Sequence, residues 1–323
     1  MTDDLVVAEG LVKRYPVRGR GLLAAVDGVS LRIERGTTLA LVGESGCGKS
    51  TTGRLLLALE RPDEGRVTVA GQAVHELGRR ELRALRRTMQ PVFQDPYDSI
   101  NARMTVEQIV AEPLRVHHAE GDRGARVREL LETVTLSPAL ASRYPHELSG
   151  GQRQRVAIAR AIALDPAFVV CDEPVSALDV SVQAQVVNLL RRLRDERAIT
   201  YLFISHDLAL VRHLAQRVAV MYLGRIVEEG PAAEVFADAR HPYTQLLLAS
   251  APRPRVRERG DEPVAITGEP PSALGGRTGC SFAPRCPLAT DLCRTEDPAL
   301  RELPGTGRKA ACHYAETARV GAA

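Results

Sequence analysis

Between positions 43 and 51 the chain reads Gly43-Glu44-Ser45-Gly46-Cys47-Gly48-Lys49-Ser50-Thr51, three glycines followed by a lysine and two hydroxyls. A G-x4-G-K-[ST] run of this kind can hold a polyphosphate. Gly43, Gly46 and Gly48 let the backbone curl and aim its N–H groups at an anion. Lys49 can reach the β- and γ-phosphates, and the Ser50 hydroxyl can ligate Mg²⁺. The apolar run 38–42 precedes the turn and the helical stretch 52–59 follows it. The turn thus lies between a buried strand and a helix, whose N-terminal donors and positive dipole end add to the anion site. The sequence therefore predicts binding of a nucleoside triphosphate.

Further along lie residues able to act on that triphosphate. Asp172 follows the apolar run 168–171, a position suited to a carboxylate supporting Mg²⁺. Glu173, next in line, can face the other side of the backbone and accept a proton from, or orient, an attacking water. His206 ends a second apolar strand, where its imidazole can bond the γ-phosphate or that water. Gln94, at a strand-to-turn junction, has an amide able to bridge metal and water. Leu148-Ser149-Gly150-Gly151-Gln152 is a second glycine-bearing helix start, hence a second anion site. One ATP needs only one such turn, so the second is expected to serve a nucleotide held by another subunit. Residues 176–179, ending at Asp179, are placed to carry the state of the γ-phosphate across that contact.

The elements that must position these groups alternate. Strands are predicted at 5–15, 24–35, 65–71, 168–171 and 200–205, with another ending in the turn 89–96. Helices are predicted at 76–88, 153–164 and 180–196, the last with Val182, Val186, Leu189, Leu190 and Leu193 on one side. Residues 105–148 read as a charged helical insert broken at Pro113, Gly121, Gly124, Pro138 and Pro145. The expected fold is α/β: a mainly parallel sheet covered on both faces, an antiparallel β subdomain and a helical insert. The ATPase core is placed at 1–235, with its helical subdomain at about 95–150. A smaller extension follows at 236–323 and includes a Pro-, Arg- and Glu-rich wrap over 252–271.

At 323 residues and a net charge of +3, the chain has room for such a domain plus an extension, and nothing global points to nucleic acid. No apolar run spans a membrane. The opening residues 1–4 are acidic and lack a signal-type apolar core. The expectation is a protein at the cytoplasmic face of the cell membrane, attached through partners.

Taken together, these motifs resemble those of the ATP-binding cassette (ABC) ATPases. The phosphate loop (43–50), glutamine loop (Gln94), signature motif (148–152), Walker B acids (Asp172, Glu173), D-loop (176–179) and switch His206 stand in that family's order. Tyr15 falls where the family keeps an aromatic ring to stack on adenine. The resemblance implies two ATPase subunits sandwiching two ATP molecules, each phosphate loop facing the partner's signature motif. Residues 92–101, the run 104–106 and His241-Pro242-Tyr243-Thr244 ahead of a Leu-rich helix resemble the ATPases of oligopeptide and dipeptide importers. Nickel importers share much of this pattern. The resemblance further implies a paralogous second ATPase, two transmembrane permease subunits and an extracytoplasmic solute-binding protein. Residues 96–101 would then lie near the groove that receives a permease helix. A soluble ABC ATPase acting on ribosomes or DNA usually carries two cassettes or a long coiled coil, and neither is present here.

Cys280, Cys286, Cys293 and Cys312 do not follow the C-x2-C knuckle spacing. Structural disulfides are disfavoured in a reducing compartment. Four thiolates can hold zinc or an iron–sulfur cluster, or remain reduced thiols. The resemblance favours [4Fe–4S], which has been associated with some importer ATPases of this kind. Cys47 and Cys171 read as small space-filling residues.

Overall fold

The computed structural model describes residues 3–19, 21–94, 100–250 and 278–320. Most of the segment expected near the permease groove, and the whole wrap 252–271, lie outside these residues.

The first half of the chain runs β1 (Asp4–Val17), β2 (Gly21–Glu34), β3 (Thr38–Val42), α1 (Lys49–Leu56), β4 (Glu64–Val69), β5 (Gln72–Ala73), α2 (Arg79–Leu85) and β6 (Met89–Val92). The helical insert follows as α3 (Val106–Val116), α4 (Arg123–Thr133) and two short 3-10 turns. Then come α5 (Gly150–Ala161), β7 (Phe168–Asp172), α6 (Val180–Arg197), β8 (Thr200–Ser205), α7 (Leu208–Leu214), β9 (Arg217–Tyr222) and β10 (Arg225–Pro231). The chain closes with α8 (Ala232–Ala237), α9 (Pro242–Ser250), α10 (Asp291–Thr295), β11 (Arg301–Glu302) and β12 (Lys309–Ala310).

Two sheets result. One has the order β2-β1-β4-β5 and is antiparallel. The other has eight strands in the order β11-β12-β10-β9-β3-β8-β7-β6. Within it β9, β3, β8, β7 and β6 are parallel neighbours, while β10, β12 and β11 pair antiparallel. The central strands read as continuous apolar runs because both faces are covered. Leu39, Leu41, Phe168, Val170, Leu202 and Ile204 join one core, shared with α1 and the antiparallel sheet. Their alternates Ala40, Val42, Val169, Cys171, Tyr201 and Phe203 join the other, shared with the helical insert, α5 and α6.

Three expectations are corrected. Pro113 does not break a helix but lies inside α3, where burial of Val106, Ile109, Val110 and Leu114 outweighs one missing backbone donor. The 76–88 helix shortens to α2, in which only Leu85 is buried. The helix expected from 153 starts at Gly150, because Ser149 caps it.

Candidate functional site: a nucleotide site at the strand carboxyl ends

The phosphate turn follows β3 and leads into α1. At Gly48, the residue before α1, φ is +107°, and a Cβ there would overlap the Ala25 carbonyl oxygen. Only glycine fits such a backbone so close to β2. Lys49 is buried, and its Nζ donates to the carbonyls of Gly43 and Glu44 at 2.8 and 2.9 Å. Ser45 and Gly46 are exposed at the tip of the turn.

Because β3, β8, β7 and β6 are parallel neighbours, their carboxyl ends bring the other predicted groups alongside this turn. Ser50 Oγ, on α1, donates to Asp172 Oδ1 at 2.9 Å. Burial raises the Asp172 pKa, against the Ser50 hydrogen bond that favours its charged form. The next residue, Glu173, takes a left-handed backbone with φ +44° and donates its N–H to the Ile204 carbonyl of β8. Non-glycine residues in this region carry strain and cluster at functional sites. Two groups reach the same carboxylate oxygen: His206 Nδ1 stands 3.2 Å from Glu173 Oε2, and Gln94 Nε2 donates to it at 3.4 Å. Glu173 is largely enclosed, whereas the His206 side chain is 60% exposed. Water arriving from outside would meet the imidazole before the carboxylate.

Tyr15, on β1, donates its hydroxyl to Glu60 and interacts with the Thr51 side chain. Burial, then Glu60, raises its pKa. Thr51 is on α1, so the half-buried tyrosine ring adjoins the phosphate-turn helix.

The second glycine-bearing start sits apart from these groups. Ser149 Oγ accepts from Gln152 N at 3.3 Å, and Gln152 Oε1 accepts from Ser149 N at 2.9 Å. This is a reciprocal capping box. A Cβ on Gly151 would lie 2.5 Å from Val182 Cγ1, and one on Gly150 would lie 3.3 Å from Leu178 Cδ2. The glycines thus let α5 approach the 176–182 segment closely. Asp179 is exposed just before α6, and Gln183 Nε2 ties the D-loop to that helix through the Val175 and Leu178 carbonyls.

The sequence family described as "ABC transporter" matches residues 26–176, and "Oligopeptide/dipeptide transporter, C-terminal region" matches 227–293. The chain is 51% identical over 322 residues to the "Probable peptide ABC transporter ATP-binding protein y4tS" of Sinorhizobium fredii (strain NBRC 101917 / NGR234), covering 97% of this chain and 90% of that protein. It belongs to the ATP-binding subunits of ABC transporters, in the oligopeptide/dipeptide import family. Against the "Dipeptide transport ATP-binding protein DppF" of Haemophilus influenzae (strain ATCC 51907 / DSM 11121 / KW20 / Rd), identity is 48%, over 96% of each chain. Among solved structures, a dimeric post-hydrolysis state of the cassette MJ0796 bound to ADP and Pi aligns with TM-score 0.65 and 31% identity, covering 70% of this chain and 98% of that one.

In the C-terminal segment of this ABC ATPase the four cysteines are near one another without being drawn together as ligands. Cys280, Cys286, Cys293 and Cys312 line one cavity with His241 and His313. Yet among the described residues no group of three or more His, Cys, Asp or Glu is arranged to hold a metal ion. Burial, foremost, pushes the Cys286 thiol up to about 11 and raises Cys280 and Cys312 as well. Free Cys47 and Cys171 are buried, Cys47 in the core shared with the antiparallel sheet and Cys171 in the core shared with the helical insert. No helix among the described residues is long and apolar enough to cross a membrane.

Two residues that touch the ATPase's phosphate turn escape sequence reasoning. Tyr243 accepts from Glu44 N, and Arg285 pairs with the Glu44 carboxylate. The His-Pro-Tyr-Thr run marks only a subfamily when read as sequence. In the fold it places a hydroxyl on the turn from about 200 residues away.

Proposed function

We propose that this ABC ATPase is the motor subunit of a peptide importer, coupling ATP binding and hydrolysis to access changes in partner permeases. The observation that carries this reading is the gathering of Lys49, Ser50, Gln94, Asp172, Glu173 and His206 at adjacent strand ends. In it, Lys49 exchanges its two backbone carbonyls for the β- and γ-phosphates. Tyr15 supports the adenine. Mg²⁺, held by the hard oxygens of Ser50 and Asp172 with Gln94 nearby, would neutralise phosphate charge as the γ-phosphate leaves. Glu173 accepts the proton of the attacking water, and His206 bonds the γ-phosphate from the solvent side. Ser149 keeps an O–H to donate even while its oxygen accepts from Gln152, so the 149–152 turn can complete a partner subunit's site. Asp179 stands at that contact.

The core then extends to about residue 235, with its helical subdomain near 95–150, and 236–323 form the extension. The partners are a paralogous ATPase, two permeases and an extracytoplasmic binding protein, which hold this subunit at the cytoplasmic face. No nucleic acid is involved.

Two measurements test the reading. Glu173→Gln retains MgATP binding and lowers turnover by about 10²-fold or more, and parental turnover would remove Glu173 from the mechanism. Vesicles carrying the assembled complex take up labelled dipeptide with ATP, and nickel uptake without dipeptide uptake would overturn the cargo.

For the tail, the soft ligand set and the shared cavity support a [4Fe–4S] site, which Cys280, Cys286, Cys293 and Cys312 would hold as thiolates. Protein purified without oxygen should then contain iron and sulfide in about equal amounts, about four of each per chain. Zinc, or neither element, would overturn this.

A further inference from the structure

Glu44, the second residue of the phosphate turn, is held at three points. Its N–H donates to the Tyr243 hydroxyl at 2.9 Å. Its carbonyl accepts from Lys49 Nζ at 2.9 Å. Its carboxylate receives both arms of the Arg285 guanidinium, Nη1 to Oε2 at 2.9 Å and Nη2 to Oε1 at 3.1 Å. The Arg285 side chain is only 7% exposed, so this forked pair is largely shielded from water and salt.

The two outer partners come from the far end of the chain and are themselves fixed. Tyr243, on α9, is fully buried in an aromatic cluster with Tyr222 and Phe282, at centroid distances of 4.6 and 5.4 Å. Arg285 Nη1 also donates to the Tyr222 hydroxyl at 3.4 Å. Arg285 lies between Cys280 and Cys286, within a 3-10 turn at Ala283–Arg285.

An anion-binding turn works only if its backbone holds its curve when the ligand arrives. Lys49 is the one member of this arrangement that must leave Glu44 to reach a phosphate. Once it does, the Glu44 amide and carboxylate still need anchors.

We infer that Arg285 and Tyr243 are positioning residues for the nucleotide site: a clamp from the C-terminal extension that holds Glu44, and with it the phosphate turn, in its binding shape. The clamp goes beyond the peptide-importer reading and rests only on the nucleotide site. It acts on a turn that grips the β-phosphate before and during reaction alike. Its loss should therefore raise the KM for ATP and leave kcat nearly unchanged.

The test titrates the purified full chain with MgADP. Arg285→Ala should weaken binding about tenfold, from loss of a shielded charge-assisted contact. Arg285→Lys should fall between the two, since a lysine cannot form the fork. Glu44→Gln should weaken binding similarly, and the Arg285→Ala/Glu44→Gln pair no more than either change alone. In the ATPase assay of the complex, KM should rise with kcat within about twofold. Melting curves identify folded variants, and if Arg285→Ala does not fold, Glu44→Gln carries the test. Parental MgADP affinity in the folded variants, additive effects, or a loss confined to kcat would each overturn the clamp. Failure of the parental chain to bind MgADP would overturn the nucleotide site itself, and the clamp with it.

Discussion

The helix beginning at Lys49 and the helix beginning at Gly150 both follow a glycine-bearing turn, but their first residues are occupied differently. Ahead of α1 no side chain caps the helix, Gly48 adopts a backbone that a side chain would obstruct, and a buried lysine folds back on the turn. Ahead of α5 the cap is complete within the chain, Ser149 and Gln152 serving each other. There the glycines leave room for Leu178 and Val182 to pack closely. A glycine-rich helix start is therefore not one kind of site. The first has an inner surface built for an anion, and the second offers an exposed serine on a rim already satisfied from within.

The largest expected effect that would break this contrast is at Lys49. Lys49→Ala should lower ATP hydrolysis by roughly 10²–10³-fold, measured as phosphate release. A rate within a few-fold of the parent would mean that the first turn does not hold the phosphates.

Next in size, Gly151→Ala should cost about 1–3 kcal/mol of stability through overpacking on Val182. Denaturant midpoints would measure this, and Val182→Ala should recover part of the loss. If Gly151→Ala alone left stability unchanged, close packing would not be the reason for that glycine.

Ser149→Ala should remove about 1 kcal/mol of capping. It should leave MgADP binding by the lone chain within about twofold and lower hydrolysis by the assembled pair about tenfold. Equal losses in both assays would place Ser149 at the site of its own subunit.

A dependence on pH concerns the support beneath the first turn. His241 is buried and neutral: its Nδ1 accepts from Tyr243 N, its other side meets the Ala311 carbonyl, and burial lowers its pKa from 6.5 to about 3. Its contribution to stability is therefore full above pH 6.5 and is lost as pH falls towards 3. Glu228, whose carboxylate accepts from His241 N, has a pKa raised by burial, so its contribution runs the other way, lost as pH rises above 4.5. The two partly cancel between 4.5 and 6.5, and His241 governs below. Relative to His241→Gln, the parent should lose stability more steeply below pH 4.5, by no more than about 1.4 kcal/mol per pH unit. Parallel pH profiles would refute this.

Much of the site was legible because short-range chemistry and strand order carry it. Apolar runs buried on both faces read directly as strands, and each delivers its reactive residue at its carboxyl end, as with Asp172 and His206. Register supplied what spacing could not: His206 and Gln94 meet on one oxygen of Glu173 only because β8, β7 and β6 are neighbours. Pro113 misled because the rule against proline in helices ignores how much apolar surface α3 buries. The Glu44 contacts left no trace in the sequence, since Arg285 lies 241 positions away and no local pattern encodes so distant an encounter. By sequence Gly151 reads as part of an anion site, and only the neighbouring helix reveals its packing role.

The extension also finishes the sheet on which the catalytic strands depend. Lys309 and Ala310 pair with Glu229 and Glu228 of β10, and the outermost strand beyond them is just Arg301 and Glu302, both exposed. Two residues of opposite charge make a poor template for a foreign chain. A version shortened before residue 300 would bare the flank of β10, a ladder of unclaimed amides and carbonyls open to self-association. The cysteine-bearing tail thus also covers the edge of β10.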